Sequence, residues 1–541
     1  MGQPLWITRL PDAAVDAYRR DSPGGPLAGA RLAIKDNLDL AGVPTTAACP
    51  ALDHPAASSA VAVTRLVDAG AIPVGKTNMD QFATGLVGTR TPYGACHSVA
   101  DPAHISGGSS SGSAIAVATG EADLALGTDT AGSGRVPAAF NGLVGLKPTR
   151  GLVSTTGLLP ACRSLDCVTT FTRTVAEART ALDALAAYDV DDPWSRARPP
   201  LPPPGVAARM RVIGVPAGDL DLDPPHAAAW QRALEHARGV AAHLVPVDVS
   251  AFLAAARLLY EGPWVAERWA AFGGLLEPDG PHLDPTVRGI VLPGRDLRAA
   301  DAFAAADRLA ALRRATEHVW HDIDALLLPV TPGHPTFDEV AAAPVAVNSR
   351  LGTYTNFVNL LDLCAVAVPA GERADGLPFG VQLIAPAFAD EPLVDLAERW
   401  TGGRPPERAA AGARVAVVGA HLTGMPLHPQ LVGLGARLAY RARTAGGYRL
   451  YHLSGPGVHR PALVHTGDGP AAGIAVEVYD LPEQGLGALL GSVPAPLGLG
   501  RVVLDDGSEV TGFIAEAPRL GGAADITHFG GWRAANSPVA P

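Results

Sequence analysis

The sequence predicts two domains: an α/β domain with helices on both faces of a sheet, then a small β-rich C-terminal domain. Over residues 1–400, short apolar runs of strand character alternate with segments whose apolar residues recur at helical spacing. Residues 414–541 carry strand-like runs separated by turn residues instead. At 541 residues, the chain is also too long for a single ordinary core.

In the first domain, residues 1–401, the pattern starts with a short strand over Arg31–Ile34. A helix over Ser58–Asp68 ends near Gly70. Further strands are predicted over the apolar runs Ala71–Val74, Asp123–Leu126 and Leu143–Leu146. The proline- and charge-rich residues 188–210 are interpreted as a surface excursion within this domain.

Residues 402–413, GGRPPERAAAGA, interrupt the periodic pattern and are predicted to be the linker. The second domain, residues 414–541, then reads as strands joined by turns. Asp505–Gly507 has the composition of a hairpin turn. The predicted strands are Val415–Val418, Arg449–Leu453, Ile474–Tyr479, Val502–Leu504 and Val510–Ile514.

The composition excludes several classes of function. A formal net charge of −11 argues against nucleic acid or an anionic membrane as the partner, because both require a basic face. Five scattered cysteines form no CxxC pair, which favours reduced thiols and a cytoplasmic location. The first residues lack the pattern of a secretory signal, and no apolar run is long enough to span a membrane. We expect neither a metal ion nor a cofactor.

Two motifs match known patterns in letters only. Gly70–Thr77 fits the Walker A pattern, but its central residues Ala71–Val74 form the predicted strand, whereas a phosphate loop follows one. Gly108–Gly112 fits the G-x-S-x-G nucleophile elbow, yet the preceding residues DPAHIS supply no apolar strand. We therefore predict neither nucleotide binding nor a nucleophilic Ser110.

Three other segments fit together chemically: a lysine at a strand end (Lys35), a glycine–serine block that leads into a small-residue helix (residues 107–119), and a second glycine-rich loop (residues 127–140) that contains Ser133. A serine hydroxyl needs a base to become a nucleophile, and a buried, neutral lysine can provide one, with a second serine bridging the two. Glycines around Ser133 allow backbone amides to face a substrate carbonyl, so the predicted oxyanion hole consists of the amides of residues Thr130, Ala131, Gly132 and Ser133.

These segments resemble the amidase-signature family, whose hallmark is a glycine–serine block followed by G-x-D-x-x-G-S-x-R, here Gly127–Arg135. The resemblance implies a Ser-cisSer-Lys triad of Ser133 as nucleophile, Ser109 as bridge and Lys35 as base. It also implies a mixed central sheet covered by helices. Asp129 and Arg135 are interpreted as residues that brace the loop. Neither His97 nor His104 is interpreted as the base.

Within that family, the segments 79–90, 129–151 and 160–167 and the extra C-terminal domain are similar to those of allophanate hydrolases. This likeness implies hydrolysis of the small molecule allophanate to ammonia and N-carboxycarbamate, which decarboxylates to ammonia and carbon dioxide. The setting would be urea or s-triazine nitrogen catabolism. In residues 252–271, a helical stretch broken at Pro263, Tyr260 and Arg268 would bind the substrate.

The C-terminal domain resembles the γ-glutamylcyclotransferase-like fold, in which the loop after the first strand lines the pocket. The resemblance therefore makes His421 the candidate for a decarboxylation step, with His452, His459 and His528 as rivals, unless the domain is purely structural. It further implies a homodimer and a separate urea carboxylase. Three alternatives remain open: another amidase, the glutaminase subunit of a tRNA amidotransferase, or an inactive scaffold with this fold.

Overall fold

In the computed structural model, the described residues are 2–197, 210, 212–241, 243–277, 280, 282–405, 413–422, 424–453 and 457–536. Those up to residue 405 form one compact unit and those from residue 413 belong to a second. Residues 406–412 of the predicted linker lie outside the described residues, as do residues 198–209 of the predicted surface excursion.

The described part of the first unit contains an 11-stranded sheet. Its strands are β1 (Trp6–Arg9), β2 (Arg31–Lys35), β3 (Ile72–Thr77), β4 (Leu124–Asp129), β5 (Val144–Lys147), β6 (Cys167–Thr172), β7 (Val212–Pro216), β8 (His243–Val247), β9 (Ala325–Pro329), β10 (Leu363–Glu372) and β11 (Pro378–Pro386). The spatial order is β1-β3-β2-β4-β6-β5-β10-β11-β9-β7-β8. Strand β2 pairs in parallel with β3 and β4, whereas β4 pairs antiparallel with β6, so the sheet is mixed.

Helices cover both faces of this sheet. They are α1 (Asp12–Asp21), α2 (Val61–Asp68), α3 (Ser111–Ala118), α4 (Val136–Phe140), α5 (Val175–Leu185), α6 (Pro224–Val240), α7 (Ser250–Glu261), α8 (Trp264–Phe272), α9 (Pro285–Val291), α10 (Ala299–Glu317), α11 (Phe337–Ala342), α12 (Pro344–Leu351), α13 (Asn356–Leu360) and α14 (Asp390–Trp400). Neighbouring residues of β10 point to opposite faces. Val366 packs in a cluster with residues of α5 and α14, and Ala367 in one with residues of α3 and α4.

The predicted elements of the first unit are confirmed, with small differences in their bounds. Strand β4 continues three residues beyond the predicted end, to Asp129, and so leads directly into the loop that contains Ser133. The helix predicted from Ser58 begins only at Val61. In the Walker-like segment, Lys76 lies inside strand β3, where its buried ammonium pairs with Asp36 at 2.9 Å. This lysine therefore closes a structural ion pair and does not belong to a phosphate loop.

The described part of the second unit contains a 5-stranded and a 3-stranded sheet. Its elements are β12 (Arg414–Val417), β13 (Arg437–Arg443), β14 (Tyr448–Leu453), β15 (Arg460–His465), β16 (Ala475–Asp480), β17 (Leu497–Val503), β18 (Glu509–Ala515), β19 (Ala524–Asp525), α15 (His428–Gly433), α16 (Glu483–Ser492) and α17 (Trp532–Asn536). The β-rich character and the β17–β18 hairpin around Gly507 are as predicted. Strands β13 and β15 were not predicted from the sequence.

None of the helices in the described ranges is both long enough and apolar enough to cross a membrane.

Candidate active site

Strand pairing brings the three predicted segments of the first unit together. Because β2 and β4 pair in parallel, their carboxyl ends lie at the same edge of the sheet, with Lys35 at one and Thr128 near the other. The glycine–serine block leads into α3, which packs against these strands, so that Ser109 reaches the same edge. The candidate site lies where these segments meet.

Lys35 is fully buried, and its ammonium group has two close hydroxyl partners. Nζ donates to Ser109 Oγ at 2.8 Å and to Thr128 Oγ1 at 2.7 Å. Burial lowers the pKa of Lys35 to about 7, although the carboxylates of Asp80, Asp166 and Asp129 act in the opposite direction. A lysine with this pKa is neutral in a large fraction of molecules near pH 7, so it can accept a proton through Ser109.

Ser109 is held by the loop of residues 80–90. A cis peptide bond joins Gly108 to Ser109, and the Ser109 carbonyl accepts a hydrogen bond from the Asp80 amide at 3.1 Å. The Asp80 carboxylate in turn accepts from the amides of Gly88 and Arg90 at 3.0 and 2.9 Å. A side chain at Gly108 would collide with this carboxylate, so the close approach requires glycine.

Ser133 is buried beside the same loop, and its hydroxyl donates to the Gly85 carbonyl at 3.4 Å. Among the described residues, no hydrogen bond joins Ser133 to Ser109. The structure therefore has the lysine-to-serine half of the predicted relay in contact, while Ser133 uses a backbone acceptor on the loop that also holds Ser109. A long bond of this kind breaks at little cost when a substrate enters.

The four predicted oxyanion amides are not equivalent. The Gly132 amide donates to Asp129 Oδ1 at 2.7 Å, so it is already engaged. The amides of Thr130, Ala131 and Ser133 make no hydrogen bond to another described residue. Gly132 has a φ of +140°, and a Cβ there would collide with the side chain of Thr355. The glycine thus lets the loop turn so that the other three amides are free to face a carbonyl oxygen.

Asp129 and Arg135 brace this loop from beneath. Both are fully buried, and the guanidinium contacts both carboxylate oxygens at 2.9 and 3.0 Å. Burial is the largest single influence and would raise the pKa of Asp129, but the charge and hydrogen bonds of Arg135, together with the charge of Lys147 and the Gly134 amide, lower the pKa overall. Arg135 also donates to Gln382 on β11 at 2.9 Å and to Asn359 on α13 at 3.1 Å, which connects the loop to both elements.

The predicted substrate residues lie on consecutive helices separated by the expected break at Pro263. Tyr260 is on α7 and Arg268 on α8, with the guanidinium 5.9 Å from the centre of the Tyr260 ring. Arg268 is only 2% exposed and donates to Thr84 Oγ1 at 3.0 Å. No carboxylate forms an ion pair with it in the described ranges. Because a buried cation is unfavourable without an anion, this arginine fits the carboxylate of a small ligand.

Two functional neighbours were missed from the sequence. Thr128 Oγ1 accepts from both Lys35 and Asn37, the second at 3.2 Å. The fully buried Asp166 accepts from Thr130 Oγ1 at 2.5 Å, and burial raises its pKa to about 6. Thr128 is an ordinary strand residue in the sequence, and Asp166 belongs to a segment quoted for its resemblance alone, so neither carried a signal of its own.

A second candidate site lies within the C-terminal unit, where His421 follows β12. The imidazole lines a small pocket, together with Gln430, Arg460 and Ser492. It stacks on the Phe513 ring with a 5.1 Å separation between ring centres, and burial lowers its pKa. The rival histidines do not line this pocket: His452 and His459 contact each other at 3.2 Å, and His528 packs on Phe529.

Comparison with known proteins gives matches in both units. The Amidase family model matches residues 9–394, and the model for the allophanate hydrolase C-terminal domain matches residues 413–537. A urea amidolyase of Lachancea kluyveri is 42% identical over 98% of this chain, which spans only 31% of that relative's length. The allophanate hydrolase structure from Kluyveromyces lactis is 40% identical in sequence and has a TM-score of 0.73. The match covers 98% of this chain and 93% of the K. lactis chain. A glutamyl-tRNA(Gln) amidotransferase chain from Synechococcus is 34% identical, covering 72% of this chain and 86% of its own.

Proposed function

This chain belongs to the amidase family, and from that premise we propose that it hydrolyses allophanate to ammonia and N-carboxycarbamate. The observation that carries the substrate is the likeness to an allophanate hydrolase over nearly the full length of both chains, C-terminal unit included. The buried Arg268, which has no carboxylate within ion-pair distance among the described residues, supports a small anionic substrate.

The proposed reaction starts with neutral Lys35. As Ser133 Oγ leaves the Gly85 carbonyl and attacks the terminal amide carbon, its proton passes to Ser109 Oγ, whose own proton passes to Lys35 Nζ. The 2.8 Å contact between Lys35 and Ser109 supports this route. The amides of Thr130, Ala131 and Ser133 stabilise the negative oxygen of the tetrahedral intermediate.

The intermediate then collapses with cleavage of the carbon–nitrogen bond. The leaving nitrogen takes the proton back along the same serine path and departs as ammonia, leaving Ser133 acylated. Water attacks the acyl-enzyme with Lys35 again as the base, which frees Ser133 and releases N-carboxycarbamate. Throughout, Arg268 and Tyr260 hold the substrate's carboxylate end, so that only the amide end can reach Ser133.

For the C-terminal unit we propose that His421 assists decarboxylation of N-carboxycarbamate. Its position in a pocket with the cationic Arg460 supports binding of a carboxylate. His421 is favoured over its rivals because neither His452, His459 nor His528 lines that pocket.

We further propose that the protein acts in the cytoplasm as a homodimer, in urea or s-triazine nitrogen catabolism, on allophanate made by a separate urea carboxylase. The five cysteines are free and buried, which supports a reducing compartment. The similarity to urea amidolyases, longer proteins in which this chain spans less than a third, supports the link to urea.

The test compares substrates on the full chain. Allophanate should yield ammonia rapidly, whereas glutamine and neutral short amides should yield little. Ammonia release from glutamine at a rate equal to that from allophanate would contradict the proposal and favour the amidotransferase alternative.

A further inference from the structure

A chain of hydrogen bonds lies behind His421 in the C-terminal unit. His421 Nε2 contacts Gln430 Oε1 at 2.9 Å, and Gln430 Nε2 donates to Ser492 Oγ at 2.9 Å. The Ser492 hydroxyl donates in turn to the Leu489 carbonyl at 2.7 Å. Gln430 comes from α15 and Ser492 from the last turn of α16, so two helices contribute to the chain.

The Leu489 carbonyl, the last acceptor of this chain, determines which atom donates in each of the other hydrogen bonds. A carbonyl oxygen can only accept, and the last carbonyls of a helix lack an amide partner within it. The Val493 amide bonds to Leu490, which leaves the Leu489 carbonyl to the Ser492 hydroxyl. The single hydrogen of Ser492 is then used, so Ser492 Oγ must accept from the amide nitrogen of Gln430.

Gln430 therefore presents its oxygen to the histidine. An oxygen facing Nε2 requires a hydrogen on that nitrogen, because two acceptors cannot bond to each other. In neutral His421 the hydrogen then lies on Nε2, and the lone pair lies on Nδ1. Nδ1 makes no hydrogen bond to any described residue, and stacking on Phe513 restricts rotation of the ring.

We infer that Gln430 and Ser492 are positioning residues that hold His421 as the Nε2–H tautomer and so assign proton transfer in this pocket to Nδ1. This inference rests on the decarboxylation proposed above. In that step the bond between nitrogen and one carboxylate carbon breaks, its electron pair stays on nitrogen, and carbon dioxide leaves. The nitrogen takes the proton from Nδ1–H of the protonated imidazole, which water then replenishes. Arg460 lines the same pocket and can hold the carboxylate that remains.

The first readout is spectroscopic and uses the full chain labelled with ¹⁵N-histidine. The chain has 16 histidines, and the signals that vanish in His421→Ala identify this one. In the unaltered protein, neutral His421 should show a protonated Nε2 and an unprotonated Nδ1. Gln430→Leu removes the oxygen that accepts from His421 Nε2, and Ser492→Ala leaves the side-chain amide of Gln430 free to rotate by about 180°. Both should give a mixture of tautomers, whereas Ser492→Thr, which keeps the hydroxyl, should retain the single form.

The second readout is carbon dioxide release from allophanate, expressed relative to release of the first ammonia, which also reports that the protein is folded. Gln430→Leu should lower this ratio by about tenfold to a hundredfold, a part of the 10²–10⁴-fold that general acid–base catalysis contributes. Ser492→Ala should lower it less. The matched control is Ser508→Ala in the β17–β18 turn, where the hydroxyl donates to Asp506 at 2.6 Å.

The outcomes separate the two proposals. If Gln430→Leu keeps both the single tautomer and the unaltered ratio, the positioning role is wrong. If His421→Ala leaves the ratio unchanged, the decarboxylation assigned to this unit is wrong, whatever the tautomer. The inference predicts mixed tautomers and a lowered ratio in Gln430→Leu and Ser492→Ala, and a single tautomer with an unaltered ratio in Ser492→Thr.

Discussion

The two candidate sites handle a nitrogen base in different ways. In the amidase unit, Lys35 would be fully protonated in water, and only complete burial brings its pKa to about 7. In the C-terminal unit, the histidine side chain already has an ordinary pKa of 6.5, and the residues around it decide which nitrogen carries the hydrogen. The difference teaches that a lysine needs an enclosed core to act as a base near pH 7, while a histidine needs only an oriented partner to transfer a proton through one chosen nitrogen.

The largest expected effect comes from breaking the lysine relay. Ser109→Ala removes the only hydroxyl that links Lys35 toward Ser133 in the proposed route. We expect kcat/KM for allophanate to fall by about 10²–10⁴-fold, the contribution of general acid–base catalysis. The matched control is Ser111→Ala, two residues along the same block, whose hydroxyl makes a long 3.4 Å bond to the Asn78 carbonyl. Equal activity of the Ser109→Ala and Ser111→Ala variants would contradict the relay through Ser109.

The next effect tests whether the enclosed site is built for an anion. Arg268→Met removes the buried guanidinium, and we expect kcat/KM for allophanate to fall by a factor that corresponds to about 2–5 kcal/mol, the usual cost of truncating one partner of a buried charge pair. Activity on a neutral short amide should change little. Arg308→Met, on the exposed surface of α10, is the control. An equal loss on both substrates would contradict carboxylate recognition by Arg268.

The enclosure of Lys35 should also cost stability. The folded pKa is about 7 and the unfolded value is 10.5, so between these pH values the unfolded chain binds one more proton than the folded chain. Stability therefore rises with pH across this window, by up to about 1.4 kcal/mol per pH unit, and this contribution levels off below pH 7. Lys35→Met should abolish this part of the slope in urea unfolding measured at several pH values. An unchanged slope would show that Lys35 stays charged when buried.

The smallest expected effect concerns a neighbouring charge that changes the pKa of Lys35. The negative charge of Asp166 raises the pKa of Lys35, so Asp166→Asn should move the pH midpoint of activity downward. The expected shift is less than one pH unit, which corresponds to less than about 1.4 kcal/mol. The direction is read from kcat/KM measured between pH 5.5 and 9. An upward shift would contradict the assignment of that midpoint to Lys35.

The two sites were also unequally visible in the sequence. In the amidase unit, strand ends and glycine-rich loops mark Lys35, the serine block and Ser133, because tight loops beside a buried strand need these residue types. The same pattern could not show that Asp129 engages the Gly132 amide, or that Ser133 faces the Gly85 carbonyl. Those contacts depend on loop geometry that only tertiary packing determines.

In the C-terminal unit, fewer sequence patterns indicate the site residues and the strands. His421 was found by resemblance, but Gln430 and Ser492 lie on two short helices with no spacing that links them to it. Strand β13 reads RLAYRAR, in which every second residue is apolar, a strand signal that was missed, whereas β15 begins with Arg-Pro and lacks this alternation. Their strand structure comes from pairing with β16 and β14, which is information from distant parts of the chain.

The central claim is that neutral Lys35 activates Ser133, and the rate at which a fluorophosphonate labels Ser133 tests it most directly. This reaction needs only nucleophile activation and is independent of substrate binding and of the C-terminal unit. Because the neutral lysine is the active form, the labelling rate should rise with pH through a single midpoint near 7 and then reach a plateau. A rate that is independent of pH, or that keeps rising toward the ordinary lysine value of 10.5, would contradict the account.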